Sequence, residues 1–215
     1  MSPDARLLPS AALLLALASA PAPAGPAEKA GLKPGDPAPV FVAKAHDDSE
    51  FYLRDYCGEP RGKRCRQERN VLVLSFFATW CKPCRAEMPV LQELASKYRG
   101  EGVLFYLVNQ GQPRDTVSNF IFDQVVTLPV LLDQYEVTAK KYGVRELPTL
   151  VVIGKDGKLA EYHSGYAEGY QAALGRTLDS LLGRALPRQP GAAGDSGPKA
   201  KAAKTKGKRT IKKSN

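Results

Sequence analysis

Apolar positions along this chain change their period from segment to segment, and the changes mark out the elements. Val71 to Phe77 is a continuous apolar run, the pattern of a strand covered on both faces. From Lys82 to Tyr98 the period lengthens: Met88, Leu91, Leu94 and Tyr98 recur at steps of three and four, which predicts a helix that Gly100 stops. Pro89 lies inside it and removes one backbone donor. Upstream, Phe41 to Ala45 and Glu50 to Leu53 flank Asp47-Asp48-Ser49, a hairpin signal. Downstream, Val103 to Asn109 predicts a strand, Asp115 to Asp123 a short helix near Pro113, and Leu128 to Leu132 a short strand. Val137 to Tyr142 predicts a helix ended by Gly143. Thr149 to Ile153 and Leu159 to His163 are strands joined at Asp156-Gly157. Tyr170 to Leu182 closes the series as a helix whose apolar face is Ala173, Leu174, Thr177, Leu178, Leu181 and Leu182. Strands alternating with helices imply an α/β fold, a central mixed sheet flanked by helices, with an N-terminal hairpin.

The two ends are of different material. Arg6 precedes an apolar stretch from Leu7 to Ala20, followed by Ala22-Pro23-Ala24. Fourteen residues are too few to span a bilayer, which takes about 20, so residues 1–24 are expected to be a cleaved signal peptide. Residues 25–33 are then a short linker, 34–184 the folded domain, and 185–215 a disordered basic tail. From Arg188 to Asn215 there are nine basic residues and one acid, so this segment holds eight of the formal +9 charges of the 215-residue chain. The basic balance therefore describes a tail and not a globule. Anionic lipid, cell-wall polymer or an acidic protein fits such a tail, and nucleic acid is not expected of an exported protein. An oxidising compartment also makes paired cysteines admissible.

The chemistry lies at the junction of the central strand and its helix, in Trp80-Cys81-Lys82-Pro83-Cys84. Two cysteines two residues apart at a helix start form a small redox-active disulfide, because the helix N-terminus favours the thiolate of the first. Zinc would need four ligands, and neither the loose Cys57–Cys65 spacing nor the distant His46 and His163 supplies a second pair. Thiol–disulfide exchange is the function that follows. A thiol peroxidase would need a lone reactive cysteine in its own pocket, and a copper chaperone a histidine near the pair. These remain the alternatives.

Residues 34 to 183 resemble the thioredoxin-fold TlpA/ResA-type proteins, extracytoplasmic thiol–disulfide oxidoreductases of bacteria. Phe76 to Pro89, Tyr142 to Thr149 and Val151 to Leu159 carry the resemblance. It implies Cys81 as the attacking thiol and Cys84 as the resolving one, with Trp80, Pro83, Leu147 and a cis Pro148 forming the substrate-binding surface. It also implies exposure of Cys81. Cytoplasmic thioredoxins carry an aspartate where this chain has Ser75; Glu87, one helical turn after Cys84, matches the family's active-site glutamate. The resemblance further implies protein disulfide substrates such as apocytochrome c, a membrane electron-donor protein and no cofactor. Nothing in the family pattern requires Cys57 and Cys65; flanking a Gly/Pro-containing basic loop, they are expected to form a structural disulfide.

Overall fold

The computed structural model describes residues 31–60 and 68–184. The expected signal peptide, most of the linker, the basic tail and Cys65 lie outside the described residues. Seven strands form one sheet: β1 Val42–Ala45, β2 Glu50–Tyr52, β3 Val71–Phe77, β4 Val103–Gln110, β5 Val130–Asp133, β6 Thr149–Ile153 and β7 Leu159–Ser164. Their order is β2-β1-β5-β4-β3-β6-β7. β3, β4 and β5 run parallel, while β6 and β7 extend the sheet antiparallel on one side and β1 and β2 on the other. The helices are α1 Leu53–Tyr56, α2 Lys82–Lys97, α3 Arg114–Asp123, α4 Val137–Tyr142 and α5 Tyr170–Leu181.

β3 explains why the core has two halves. Side chains alternate along a strand, so Val71, Val73 and Phe77 face the cluster built with α2, α3 and α5. Leu72, Leu74 and Phe76 face the cluster built with β1, β2 and α4. Ser75 shares the parity of Val73 and Phe77, which places a hydroxyl on the α2 side. In α2 the buried positions Cys84, Glu87, Met88, Leu91 and Leu94 keep the helical period and form one stripe despite Pro89. Tyr98, at its end, donates to the Gly175 carbonyl and to Asp179, each at 3.0 Å, and so fixes α5 against α2.

Several expected boundaries shift by a residue or two, and two of the shifts matter most. Leu53, expected as strand, begins the single turn α1. β5 starts later than expected, at Val130, and reaches Asp133. The reason is a long-range cap: Asp133 accepts from the backbone of Thr138 (3.1 Å) and Ala139 (2.7 Å), satisfying the first amides of α4 from the end of a strand.

The Cys57–Cys65 bridge expected from sequence involves Cys65, which lies outside the described residues. Cys57 is a free, buried thiol that donates to the Leu53 carbonyl at 3.6 Å, packed in the apolar cluster behind β3. Beside it the chain is held by backbone bonds. Gly58 (φ 76°) donates to the Lys155 carbonyl at 2.9 Å, and a Cβ on Gly157 would stand 2.9 Å from the Gly58 Cα. Two glycine backbones touch there, at a distance no side chain tolerates. After residues 61–67, the Asn70 amide donates to the Tyr56 carbonyl at 2.7 Å.

Candidate active site

The carboxyl ends of β3, β4 and β5 lie side by side because the three strands are parallel, and the loops after them share one edge of the sheet. The loop after β3 delivers Cys81 as the N-cap of α2, with Pro83 in the first turn, where a missing N–H costs nothing. Cys81 and Cys84 are joined by a disulfide. The Cys84 amide donates to the Cys81 sulfur at 3.2 Å, so a helix N-terminal N–H faces that sulfur, a placement that favours a thiolate. Both cysteines are buried, Cys81 at 3% exposure and Cys84 at 1%. The expected exposure of Cys81 is therefore not met; it packs into the α2-side core, while Trp80 beside it stands 72% exposed. Lys82 and Pro83 are exposed on the same turn.

Glu87 lies one turn along α2 on the buried side, 3% exposed. Ser75 reaches it from β3, donating to a carboxylate oxygen at 2.7 Å. Burial pushes the Glu87 carboxyl up to about 7, and the Ser75 hydrogen bond offsets only part of this. A carboxyl group raised toward neutrality and placed one helical turn from a cysteine pair has the character of a general acid–base. In sequence these two residues are related only by contrast, Ser75 standing where cytoplasmic thioredoxins carry an aspartate and Glu87 as its substitute. The fold joins them in one hydrogen bond.

The Leu147–Pro148 peptide is cis, as the resemblance implied. β6 pairs with β3 so that Thr149 faces Phe76, which brings Pro148 to the end of β3 from which the cysteine motif departs. The Gly165 amide donates to the Pro148 carbonyl at 2.8 Å, and Thr149 Oγ1 to the Glu146 carbonyl at 2.7 Å. Pro148 is buried and Leu147 half-buried, packed against both core clusters.

Sequence reasoning missed a clamp on the loop that carries Trp80. Gln112, in the loop after β4, accepts from the Thr79 amide (2.8 Å) and from Asn109 Nδ2 (2.9 Å) and donates to Thr79 Oγ1 (2.7 Å). The available signal was Asn109-Gln110-Gly111-Gln112, a polar run at the end of a strand that is parallel to β3. Among the described residues, no group of three or more His, Cys, Asp and Glu side chains could hold a metal ion.

The sequence matches the model of the AhpC/TSA family over residues 34–162. The thiol-disulfide oxidoreductase ResA of Geobacillus thermodenitrificans is 36% identical over 138 residues, 64% of this chain and 73% of that protein. ResA of Bacillus anthracis is 33% identical over 135 residues, 63% and 72% of the two chains. Among solved structures, a candidate thiol:disulfide interchange protein DsbE from Chlorobium tepidum superposes with a TM-score of 0.62 at 27% identity, covering 71% of this chain and 99% of that one. The pneumococcal exposed lipoprotein thioredoxin Etrx1 gives 0.55 at 28% identity, covering 66% and 99%. With the Cys81–Cys84 pair closed at a helix start on this sheet, the chain belongs to the AhpC/TSA family and is a thiol–disulfide oxidoreductase of the ResA type with a thioredoxin-like fold.

Proposed function

We propose that the protein works outside the cytoplasm as a disulfide reductase for exported proteins, with Cys81 as nucleophile, Cys84 as resolving thiol and Glu87 as the acid–base group. The observation that carries this is the buried Glu87 carboxyl, bonded to Ser75 one turn beyond a cysteine pair that caps the helix. In the reduced protein the Cys81 thiolate attacks one sulfur of a substrate disulfide; the other substrate sulfur leaves as a thiolate, and a mixed disulfide remains. Glu87 takes the Cys84 proton as Cys84 attacks the Cys81 sulfur. The second substrate thiolate leaves and Cys81–Cys84 closes, so two electrons pass to the substrate.

The exposed Trp80, with Pro83, Leu147 and the cis Pro148, supplies the surface on which an extended substrate segment lies. Apocytochrome c is the substrate favoured by the family resemblance. Its thiols must be reduced before haem attachment, and a membrane dithiol carrier would regenerate the reduced pair. The extracytoplasmic place is supported by the signal-like residues 1–24 and by the likeness to a pneumococcal protein described as an exposed lipoprotein. Among the described residues, no helix is long and apolar enough to cross a membrane. The Lys-rich segment 185–215 would hold the protein to an anionic surface.

Cys84→Ser in a cell that exports the protein tests the scheme. Mixed disulfides through Cys81 should accumulate, and mass spectrometry of the captured partners should return cytochrome c precursors. Capture through Cys84 in a Cys81→Ser variant, with none through Cys81, would reverse the roles.

A further inference from the structure

Three loops leave the active-site edge of the sheet in step. Cross-strand register puts Phe77 of β3, Asn109 of β4, Leu132 of β5 and Lys44 of β1 in one row. Three residues past that row on the parallel strands come Trp80, Gln112 and Tyr135. On antiparallel β1 the same edge is reached by going back along the chain, to Val42. Tyr135 is 77% exposed, more than Trp80, and Val42 and Val137, the first residue of α4, are exposed as well. The core needs none of these four side chains in solvent. Large apolar groups exposed along one edge mark a surface that meets a partner.

The turn that presents Tyr135 is held in place. Glu136, next to it, takes a left-handed φ of 58°, which costs a residue other than glycine about 1–3 kcal/mol. The Asp133 carbonyl accepts from the Glu136 amide at 2.9 Å and from the Gly111 amide at 3.1 Å. Gln110 Nε2 donates to Glu136 Oε1 at 3.5 Å, and a Cβ on Gly111 would stand 3.0 Å from that same oxygen. The loop after β4 therefore has glycine where the carboxylate lies over it. Gln112 in turn holds Thr79, the residue before Trp80. The loops after β3, β4 and β5 are joined in sequence, so Trp80 and Tyr135 are presented from one frame. Backbone strain kept beside an exposed aromatic side chain serves its presentation, because it brings no packing.

We infer that Tyr135, with Val137 and Val42, forms a docking strip for apolar side chains that flank the reacting cysteine of a protein disulfide substrate. The inference rests on the reductase reading above, in which Cys81 attacks that cysteine beside Trp80. Continuity argues for this occupant: the strip starts at Trp80, the neighbour of Cys81, and runs across the strand ends away from it. Adjacent strands lie about 4.8 Å apart, so β5 is about 10 Å from β3, and β1 about 14 Å. An extended chain covers about 3.3 Å per residue. A substrate segment therefore reaches Tyr135 about three residues from its cysteine and Val42 about four. Oxidised glutathione, with one residue on each side of its cysteine and neither of them apolar, does not engage the strip. The strip thus selects for sequence around a disulfide and leaves the exchange chemistry to the cysteine pair.

The probes are two short peptides, each with its single cysteine joined to glutathione, and with either leucines or serines at the third and fourth positions on both sides. The reduced full chain is mixed with excess peptide. Its dithiol closes to Cys81–Cys84, two electrons pass to the mixed disulfide, and peptide and glutathione leave as thiols. Closure is followed by the fluorescence of Trp80, the only tryptophan, and peptide release by mass spectrometry. The parent should half-saturate at a roughly tenfold lower concentration of the leucine peptide than of the serine peptide. Tenfold is about 1.4 kcal/mol, within what partial burial of one aromatic side chain supplies. Tyr135→Ala should remove that preference while leaving the maximum rate and the reaction with oxidised glutathione unchanged, and Tyr135→Phe should keep it. Equal half-saturation by the two peptides in the parent, or a preference that survives in Tyr135→Ala, overturns the strip and leaves the reductase reading standing. Concentration-dependent sedimentation of the parent that Tyr135→Ala abolishes, with the peptide preference unaltered, would make the edge a contact between copies of this chain and overturn it too. A reduced parent that opens neither peptide nor oxidised glutathione defeats the reductase reading itself.

Discussion

Cys84 and Cys57 are buried almost equally, at 1% and 3% exposure, on opposite faces of the same strand. One is a partner in a redox disulfide and the other a free thiol. Burial alone therefore does not decide the chemistry of a cysteine; what burial leaves within reach does. Around Cys84 are a second sulfur, helix N-terminal amides and the Glu87 carboxyl. Cys57 contacts one carbonyl acceptor and an apolar cluster, with the charges of Arg69 and Asp156 near enough to act on it. Burial, aided by the charge of Asp156 and only partly opposed by Arg69, pushes the Cys57 thiol up to about 11. At neutral pH that thiol is not a nucleophile.

The sharpest test of the contrast is activity. Cys81→Ser should abolish dithiothreitol-driven insulin reduction, and Cys57→Ala should leave it within about twofold, because only the first removes a thiolate the reaction uses. Loss of activity in Cys57→Ala with the fold intact would merge two sites that are here held apart.

The next effect is on stability and has a definite sign. The folded protein holds the Glu87 proton more tightly than the unfolded chain does, since burial raises this group from 4.5 to about 7. Its contribution is complete below about 4.5 and is lost as pH rises through about 7, a change of about 3 kcal/mol. The amide in Glu87→Gln does not ionise. The variant should therefore exceed the parent in urea-melt stability at pH 8, and the gap should close by pH 4.5. A gap that widens toward acid pH would place Glu87 in an environment that favours its charge.

Smaller again is the clamp. Gln112→Ala removes three hydrogen bonds to Thr79 and Asn109 and should cost about 1–3 kcal/mol in thermal unfolding, while Cys57 stays as unreactive as before. Smallest is the reactivity of Cys57 itself. Native protein at pH 8 should take up iodoacetamide at Cys57 far more slowly than unfolded protein, as read by mass spectrometry. A non-reducing peptide map joining Cys57 to Cys65 would contradict the free thiol.

How much of this was legible in the sequence depends on the range of the interaction. β3, α4 and β6 have the expected bounds because one apolar period and one local stop, such as Gly143 at φ 67°, define each of them. The cysteine pair was equally legible, since its spacing is its geometry. β5 was displaced because its end is set by an aspartate that caps a helix five and six residues on. Gln112 was missed because it acts on a residue 33 positions away. The Trp80–Gln112–Tyr135 row stayed hidden for the same reason: cross-strand register brings together residues with no shared local pattern.

The contact between Gly58 and Gly157 bears on how this chain can be altered. Gly58 is held on Lys155 and Asn70 on Tyr56, so the main chain is fixed by backbone bonds on either side of residues 61–67. A segment rooted in this way can be exchanged as a module. Doubling its length costs only about 0.6 kcal/mol of closure entropy, and none of that reaches β3 while both roots hold. A peptide tag grafted between the two roots should therefore leave activity intact, whereas any side chain added at Gly157 would loosen the root. Natural sequence drift should follow the same division, with length free to change between the roots and the two glycines held fixed.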